Sequence, residues 1–478
     1  DFRRLLTRKM NIERIDLSLP KSAQVEIIET AIPEVTPVRP KKTFNIIIRS
    51  NVEPRRDSGA RDGPPSWWGV DRLLLARTPC PPGNKPVNVR LSFAAPLALA
   101  TVLAACSSDS APTGLAAVPV ETQKAAISTY ATHVKTNYDA VDAGATKLQQ
   151  AITAFLAAPS AAGLDAAKKA WSDVRPIYGE SEGYRFYAGP IDSDDGPEGR
   201  LNAWPIDENF IDGVKDNPTS GLINDTSFEI TEASIAAKNE DGGEKNISCG
   251  WHAIEFLLWG QDFSITGAGN RPYTDFLDDG PDATMKNGAR RRKYLEVVTA
   301  LLVADLKSVS VQWDSTKANS YGAKFVADAP TTTLSKMLKG IGALAAVELP
   351  NERMNNAYSR KEQEEEHSCF SDTTTSDLVA NATSVENIWL GRFEGDDKTG
   401  LDDLVRLVDP ALAEKTTKDV AAIVAATKAI PAPFDQAIFD DANGRPKIKA
   451  AIDACGVAKA DLEMVAAKLE LTINFNDN

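Results

Sequence analysis

An all-α protein of two helical bundles is what this chain predicts, on three observations. Long stretches repeat apolar residues every three or four positions, the period of one helix face. Nothing alternates strictly enough to read as a strand. Proline, glycine and capping residues stand where the helical period stops, as at Pro159, Ser160 and Gly260.

The first 105 residues differ in kind from the rest. Residues 1–85 begin with Asp1, carry Arg55-Arg56, Pro64-Pro65 and Pro81-Pro82, and sustain no hydrophobic period, so they offer little apolar surface to bury. Residues 1–105 hold 17 Lys and Arg against 10 Asp and Glu, whereas Cys106 onward holds 36 against 57. The expectation is a non-native or disordered leader over 1–85; the alternative is a basic N-terminal domain with an incidental apolar helix. Residues 86–105 read as a secretory signal, because Arg90 precedes the apolar segment Leu91 to Ala105, which is too short for a stable membrane span. Leu103-Ala104-Ala105-Cys106 looks like a bacterial lipobox. Cys106 is then the lipidated first residue of the mature chain, residues 106–119 are its tether, and Ser107 after the cysteine points to outer-membrane sorting.

The 373 residues from Cys106 are enough for two domains with their own cores. Their acidic balance opposes nucleic acid, whose phosphates would be repelled, and suits an envelope protein that meets cations. Three further cysteines, Cys249, Cys369 and Cys455, leave at least one thiol free in an oxidising compartment. No later segment reaches the roughly 20 apolar residues of a spanning helix, so the lipid is the expected anchor.

A first helix is expected over Val120 to Ala158, with Ile127, Tyr130, Val134, Tyr138, Val141, Ala145, Leu148, Ile152 and Phe155 at helical spacing. Ser160 opens a second helix that runs to Tyr178. Between Gly179 and Lys245 the chain turns Gly-, Pro- and Asp-rich, and a loop region of that length in a compact domain is usually functional. A buried helix follows over Ser248 to Trp259. Further helices are expected over about Ala283 to Trp313, Thr331 to Glu366, Ser376 to Phe393, Pro410 to Ala429 and Lys447 to Leu471. The first bundle spans 120–270 and the second 271–478, joined near residues 263–285.

The segment Cys249 to Trp259 is apolar on almost every side except at His252 and Glu255. A helix apolar all round is buried, and residues three apart share a face. A buried carboxylate needs a positive partner, so the pair is either an imidazole–carboxylate set for a metal ion or a self-satisfied core contact. His367 follows Glu362, Glu364, Glu365 and Glu366 and is either a third ligand or part of a solvated acidic helix face. His133, on the polar side of the first helix, reads as ordinary surface. Arg185 is a candidate partner for a buried carboxylate or bound anion, or for Glu182 in a simple ion pair. Asp192 is an oxygen ligand or a turn former.

Gly250-Trp251-His252-Ala253-Ile254-Glu255 resembles the GxHxxE signature of the imelysin-like proteins, envelope proteins classed as metallopeptidases and often associated with iron acquisition. Glu182–Phe186, Gly189–Asp192, Gly196–Pro205 and Glu365–Asp372, the last containing His367-Ser368-Cys369-Phe370-Ser371-Asp372, are similar to the iron-regulated branch of that family. The resemblance implies two related helical bundles of the duplicated four-helix type with the site near their interface. It also implies a metal set of His252, Glu255 and His367, lined by Glu182, Arg185, Asp192, Ser371 and Asp372. In that branch a second His often follows the HSCFSD stretch; Thr373-Thr374-Thr375 stand there in this chain. If both motifs line one site, Cys249 and Cys369 come close.

A zinc peptidase needs three protein ligands, an open position for water and a general base. The usual HExxH and HxxEH layouts are absent, because Ala253 follows His252 and Phe256 follows Glu255. The catalytic residues are therefore unassigned. The favoured expectation is an envelope lipoprotein that binds iron or zinc at a mixed nitrogen and oxygen site, works with iron-uptake components and takes part in iron acquisition. The alternatives are a metallopeptidase acting on envelope or extracellular proteins and a non-catalytic structural or interaction protein.

Overall fold

The computed structural model describes residues 112–393 and 395–476. The leader, the signal segment, Cys106 and the start of the tether lie outside the described residues. The longer α-helices are α1 (Val120–Ala157), α2 (Ala161–Gly179), α3 (Trp251–Trp259), α4 (Gly288–Gln312), α5 (Pro330–Ala343), α6 (Thr374–Leu390), α7 (Pro410–Lys428) and α8 (Gly444–Lys468). Arg392–Phe393 and Asp396–Asp397 form a two-residue antiparallel pair beyond α6. No described helix is long and apolar enough to cross a membrane.

Local chemistry sets the boundaries. Ser160 caps α2, its hydroxyl accepting from the Gly163 amide at 3.2 Å. Asp409 does the same for α7 at the Leu412 amide, 3.1 Å, with Pro410 in the first helical turn, where its missing N–H costs nothing. Gly250 and Gly260 bracket α3 at φ 91° and 75°, a backbone region that favours glycine. That is why α3 starts at Trp251 and not at Ser248.

The segment expected as one helix over Thr331 to Glu366 is broken in three. α5 passes into a π-helix over Leu344–Asn355, a short α-turn Asn356–Arg360 follows, and Lys361 at φ 52° ends it. Pro350 explains the widening, since a proline inside an α-helix lacks its N–H and clashes with the preceding turn. The acidic run that follows is no helix face, and it is solvated only in part: Glu362 and Glu364 are exposed, whereas Glu365 and Glu366 are buried.

α1 packs antiparallel to α2 and along α4, forming the first bundle, while α6, α7, α8 and the π-helix form the second. The helix α4 was expected in the second bundle over 271–478; its packing partners are α1, α3 and the short helices of the irregular passage, so it sits with the first. α6 lies against both α2 and the 3-10 turn Glu180–Tyr184, which places the bundle interface there. The backbones meet closely at that interface: a Cβ on Gly340 would fall 2.2 Å from the Gly183 carbonyl oxygen.

His133 is corrected by this packing. It is buried, not surface, with its ring centroid 4.4 Å from that of Phe393. Tyr184 of the turn at Glu180–Tyr184 and Phe393 cover the side of α1 that carries His133, whereas Lys124, Ser128, Thr132 and Lys147 on the same helix stay exposed. Burial pushes the His133 imidazole down to about 4, so it is neutral.

Candidate functional site

Every residue of α3 is buried. Its start is fixed by a close approach that only glycine permits, since a Cβ on Gly250 would lie 2.5 Å from the Leu201 carbonyl oxygen and 2.6 Å from that of Arg200. The Trp171 indole of α2 donates to the Trp251 carbonyl at 3.1 Å. The Tyr294 hydroxyl of α4 donates to the Ser248 carbonyl at 2.7 Å. Held in this way, α3 directs His252 and Glu255 to the bundle interface.

The structure brings His252 and His367 together, with ring centroids 4.8 Å apart although 115 residues separate them in the chain. Between them lies Arg175 of α2, which the motif reading did not single out. Its Nη2 is 3.2 Å from His252 Nε2 and 3.1 Å from His367 Nε2. Arginine only donates, so both Nε2 atoms accept and each imidazole carries its proton on Nδ1. Those Nδ1 atoms face carboxylates, His252 to Glu255 Oε2 at 2.9 Å and His367 to Asp377 Oδ2 at 2.8 Å. The rest of the guanidinium is held by Asn202 Oδ1 at 2.8 Å and by Asp377 Oδ1, 3.4 Å from Nε. Trp171, Tyr178 and Trp251 surround it, their ring centroids 5.8, 5.4 and 5.9 Å from its central carbon.

Burial lowers the His252 imidazole well below its ordinary value, helped by the charge of Arg175. Burial and the charges of Arg353 and Arg175 do the same to His367, so both rings are neutral. Burial pushes Glu255 up to about 8, against the pull of its donors. Those donors are Ser371 twice over, through its backbone amide at 2.9 Å and its hydroxyl at 2.7 Å, both to Oε1. Thr373, one of the three threonines where the related branch often has histidine, bonds the Ser371 hydroxyl at 2.8 Å.

A second charged layer adjoins the first. Glu182 Oε1 accepts from Asn202 at 3.1 Å, while its Oε2 accepts from Arg185 at 2.7 Å and Arg353 at 2.9 Å. Burial alone would raise the Glu182 carboxyl, but Arg185, Arg353 and Arg175 together hold it below the usual carboxylate range. Arg185 also pairs with Glu198 at 3.0 Å. Arg185 thus serves Glu182 and Glu198, and the guanidinium beside His252 is that of Arg175. Asp192 is spent on a turn, accepting from the Gly189 amide at 2.7 Å and from the Phe186 amide. Asp372 turns toward Asp262 and Asp435.

The donor set does not fit a metal ion as it stands. A neutral imidazole whose Nδ1–H is held by a carboxylate is the usual backing of a metal-bound histidine, and here two Nε2 atoms converge on one point. That point is filled by a positively charged nitrogen, and Glu255 stands behind His252 instead of beside the shared point. Among the described residues, the donor atoms that gather within 4.8 Å of one another belong to Asp262, Asp372 and Asp435, not to His252, Glu255 and His367. Cys249 and Cys369 are both free thiols and have different neighbours. Cys249 lies 3.5 Å from Asn239 Oδ1, whereas Cys369 feels Glu255 and Glu364.

Arg175, Asn202, Arg353 and Asp377 are thus the functional residues that motif reading missed. A signal for the first existed: Arg175 occupies the same buried stripe of α2 as Leu164, Ala167, Trp171, Val174 and Tyr178, where an unpaired arginine is out of place. Asp377 had none beyond its position near the start of α6.

Comparison with known proteins places this geometry. The Imelysin family model matches residues 134–462. Iron-regulated protein A of Synechococcus elongatus is 25% identical over 308 residues, 63% of this chain and 73% of that protein. Two solved structures share the fold. An iron-regulated protein A precursor from Parabacteroides distasonis superposes with a TM-score of 0.57 at 19% identity, covering 75% of this chain and 98% of its own. An imelysin-like protein from Psychrobacter arcticum gives 0.52 at 13%, with the same coverages of 75% and 98%.

Proposed function

The chain belongs to the imelysin family, and from that premise we propose that it is an envelope binding protein that serves iron acquisition and does not hydrolyse peptides. One observation carries the second half: Arg175 stands where the two imidazole nitrogens converge, so an ion and its attacking water have no position there. The iron link is supported by the likeness to iron-regulated protein A of Synechococcus elongatus. In this reading the motif residues lock two bundles into a fixed relation, His252 and Glu255 on one side and His367 and Asp377 on the other. A purely structural interaction protein would use the same lock, and iron content separates the two.

The test compares cells with and without the gene under iron limitation, beside a peptidase assay on the purified protein with zinc or ferrous ion. Less cellular iron in the deletion strain and no cleavage are expected. Unchanged iron would leave only the interaction reading, and cleavage abolished by His252→Ala would overturn the proposal in favour of the peptidase.

The envelope location rests on Leu103–Cys106 and the signal-like segment before it. The product extracted from membranes is expected to start at a lipid-modified Cys106 and, with Ser107 next, to fractionate with the outer membrane. An intact mass that includes residues 1–85 would refute the processing.

A further inference from the structure

Asp262, Asp372 and Asp435 come from three distant parts of the chain, the segment after α3, the His367–Asp372 motif and the short helix Phe434–Phe439. Each places a carboxylate oxygen within 4.8 Å of the others. We propose that these three carboxylates, with Glu366 beside them, bind one hard, oxygen-preferring cation. The choice of ferric iron as that cation would rest on the function proposed above; the site itself does not.

The argument begins with charge. Elsewhere in this protein most deeply buried carboxylates have a cationic side chain against them, as Glu182 has Arg353, Asp377 has Arg175, Asp212 has Arg291 and Asp461 has Lys415; Glu255, which has none, fills both its oxygens through Ser371 and His252. None of Asp262, Glu366, Asp372 and Asp435 makes an ion pair with a described basic side chain. Such a group of like charges must take up protons or a cation.

The second observation is independent of the clustering. Glu366 is 2% exposed, and neither of its carboxylate oxygens makes a hydrogen bond, although the Thr374 hydroxyl lies near. The charges of Asp435, Asp372 and Asp262 raise its carboxyl, which places it beside the cluster. Asp435 is 0% exposed, and its Oδ2 is also without a partner. Buried polar atoms are nearly always satisfied, and a bound cation would satisfy these. Asp262, by contrast, is already positioned from behind: the Ser264 amide holds Oδ1 at 2.9 Å and Gln363 holds Oδ2 at 2.7 Å. Asp372 is presented by a backbone at φ 56°.

Electrostatics agree with this geometry. Burial and the charges of Asp435 and Asp262 push Asp372 up to about 7, and burial with Asp262 brings Asp435 to about 6. Carboxylates without thiolate or imidazole select hard ions such as calcium, magnesium and manganese over soft ones. Ferric ion shares that preference for anionic oxygen.

The test uses the purified, metal-free protein titrated calorimetrically with calcium, manganese and ferric citrate in parallel, with melting followed in each. One ion per chain is expected, with at least tenfold weaker binding in Asp372→Asn and in Asp435→Asn. Both variants keep side-chain shape and remove repulsion, so without added ion they are expected to melt no lower than the parent, which shows that they fold. Ferric binding alone supports the site and the iron-linked choice of ion. Binding of calcium or manganese without ferric ion supports the site and removes that choice. No saturable binding of any of the three, or binding unchanged by both substitutions, would overturn the site, as would loss with His252→Gln in their place.

Discussion

Arg175→Met is expected to lower the free energy of unfolding by about 3–5 kcal/mol, the usual cost of removing one partner from a buried ion pair. Methionine keeps most of the stem but takes away the donors that hold His252, His367 and Asn202, and it leaves Asp377 without its paired guanidinium. Guanidinium unfolding of the variant and its parent measures the difference. The double variant Arg175→Met/Asp377→Asn is expected to recover part of the loss, because the uncompensated charge is gone. A loss under about 1 kcal/mol would mean that the guanidinium does not organise the interface, and the case against a metal at the two histidines would weaken with it.

Asp212→Asn is expected to cost a similar amount, about 3–5 kcal/mol, at a residue that belongs to no motif. Asp212 is fully buried and accepts from Arg291 at 2.6 and 2.9 Å and from Arg271 at 3.1 Å. It ties the irregular passage to α4 and to the segment after α3. Burial alone would raise its carboxyl, but Arg291 and Arg271 hold it below the ordinary range. A lowered carboxylate value adds stability that is present in full above the unfolded value of about 4 and is lost as pH falls through the folded value. The parent should therefore lose more stability than the variant on acidification below pH 4. Equal acid sensitivity in the two proteins would show that Asp212 is not the group responsible.

Much of the architecture could be read from the chain. The α1 period, the Ser160 cap, Pro410 and Gly260 each act through local geometry and stand where the spacing placed them, while Gly250 moves the start of α3 from Ser248 to Trp251. The misplacements share one cause, which is that burial depends on what packs from outside the segment. His133 reads as part of the polar side of α1, but Tyr184 and Phe393 pack over it. The glutamates before His367 read as a solvated run, but only Glu362 and Glu364 stay exposed, while Glu365 and Glu366 turn inward after Lys361 ends the helix. Pro350 lies inside the segment read as one helix over Thr331 to Glu366, and its neighbours determine that the chain there is a π-helix that brings Arg353 to Glu182.

By itself the sequence determined the helical class, the family, and the identity of the two motif histidines and Glu255, because those depend on residue type and short-range spacing. Only the tertiary structure decided what faces them. Arg175, Asn202 and Asp377 come from three separate elements, and no spacing rule connects residues 27 to 202 positions apart. The same holds for Asp262, Asp372 and Asp435, ordinary surface residues by composition, which become a charged cluster only when three remote segments fold against one another. A carboxylate's chemistry is set by its neighbours, and in this protein those neighbours are remote in the chain.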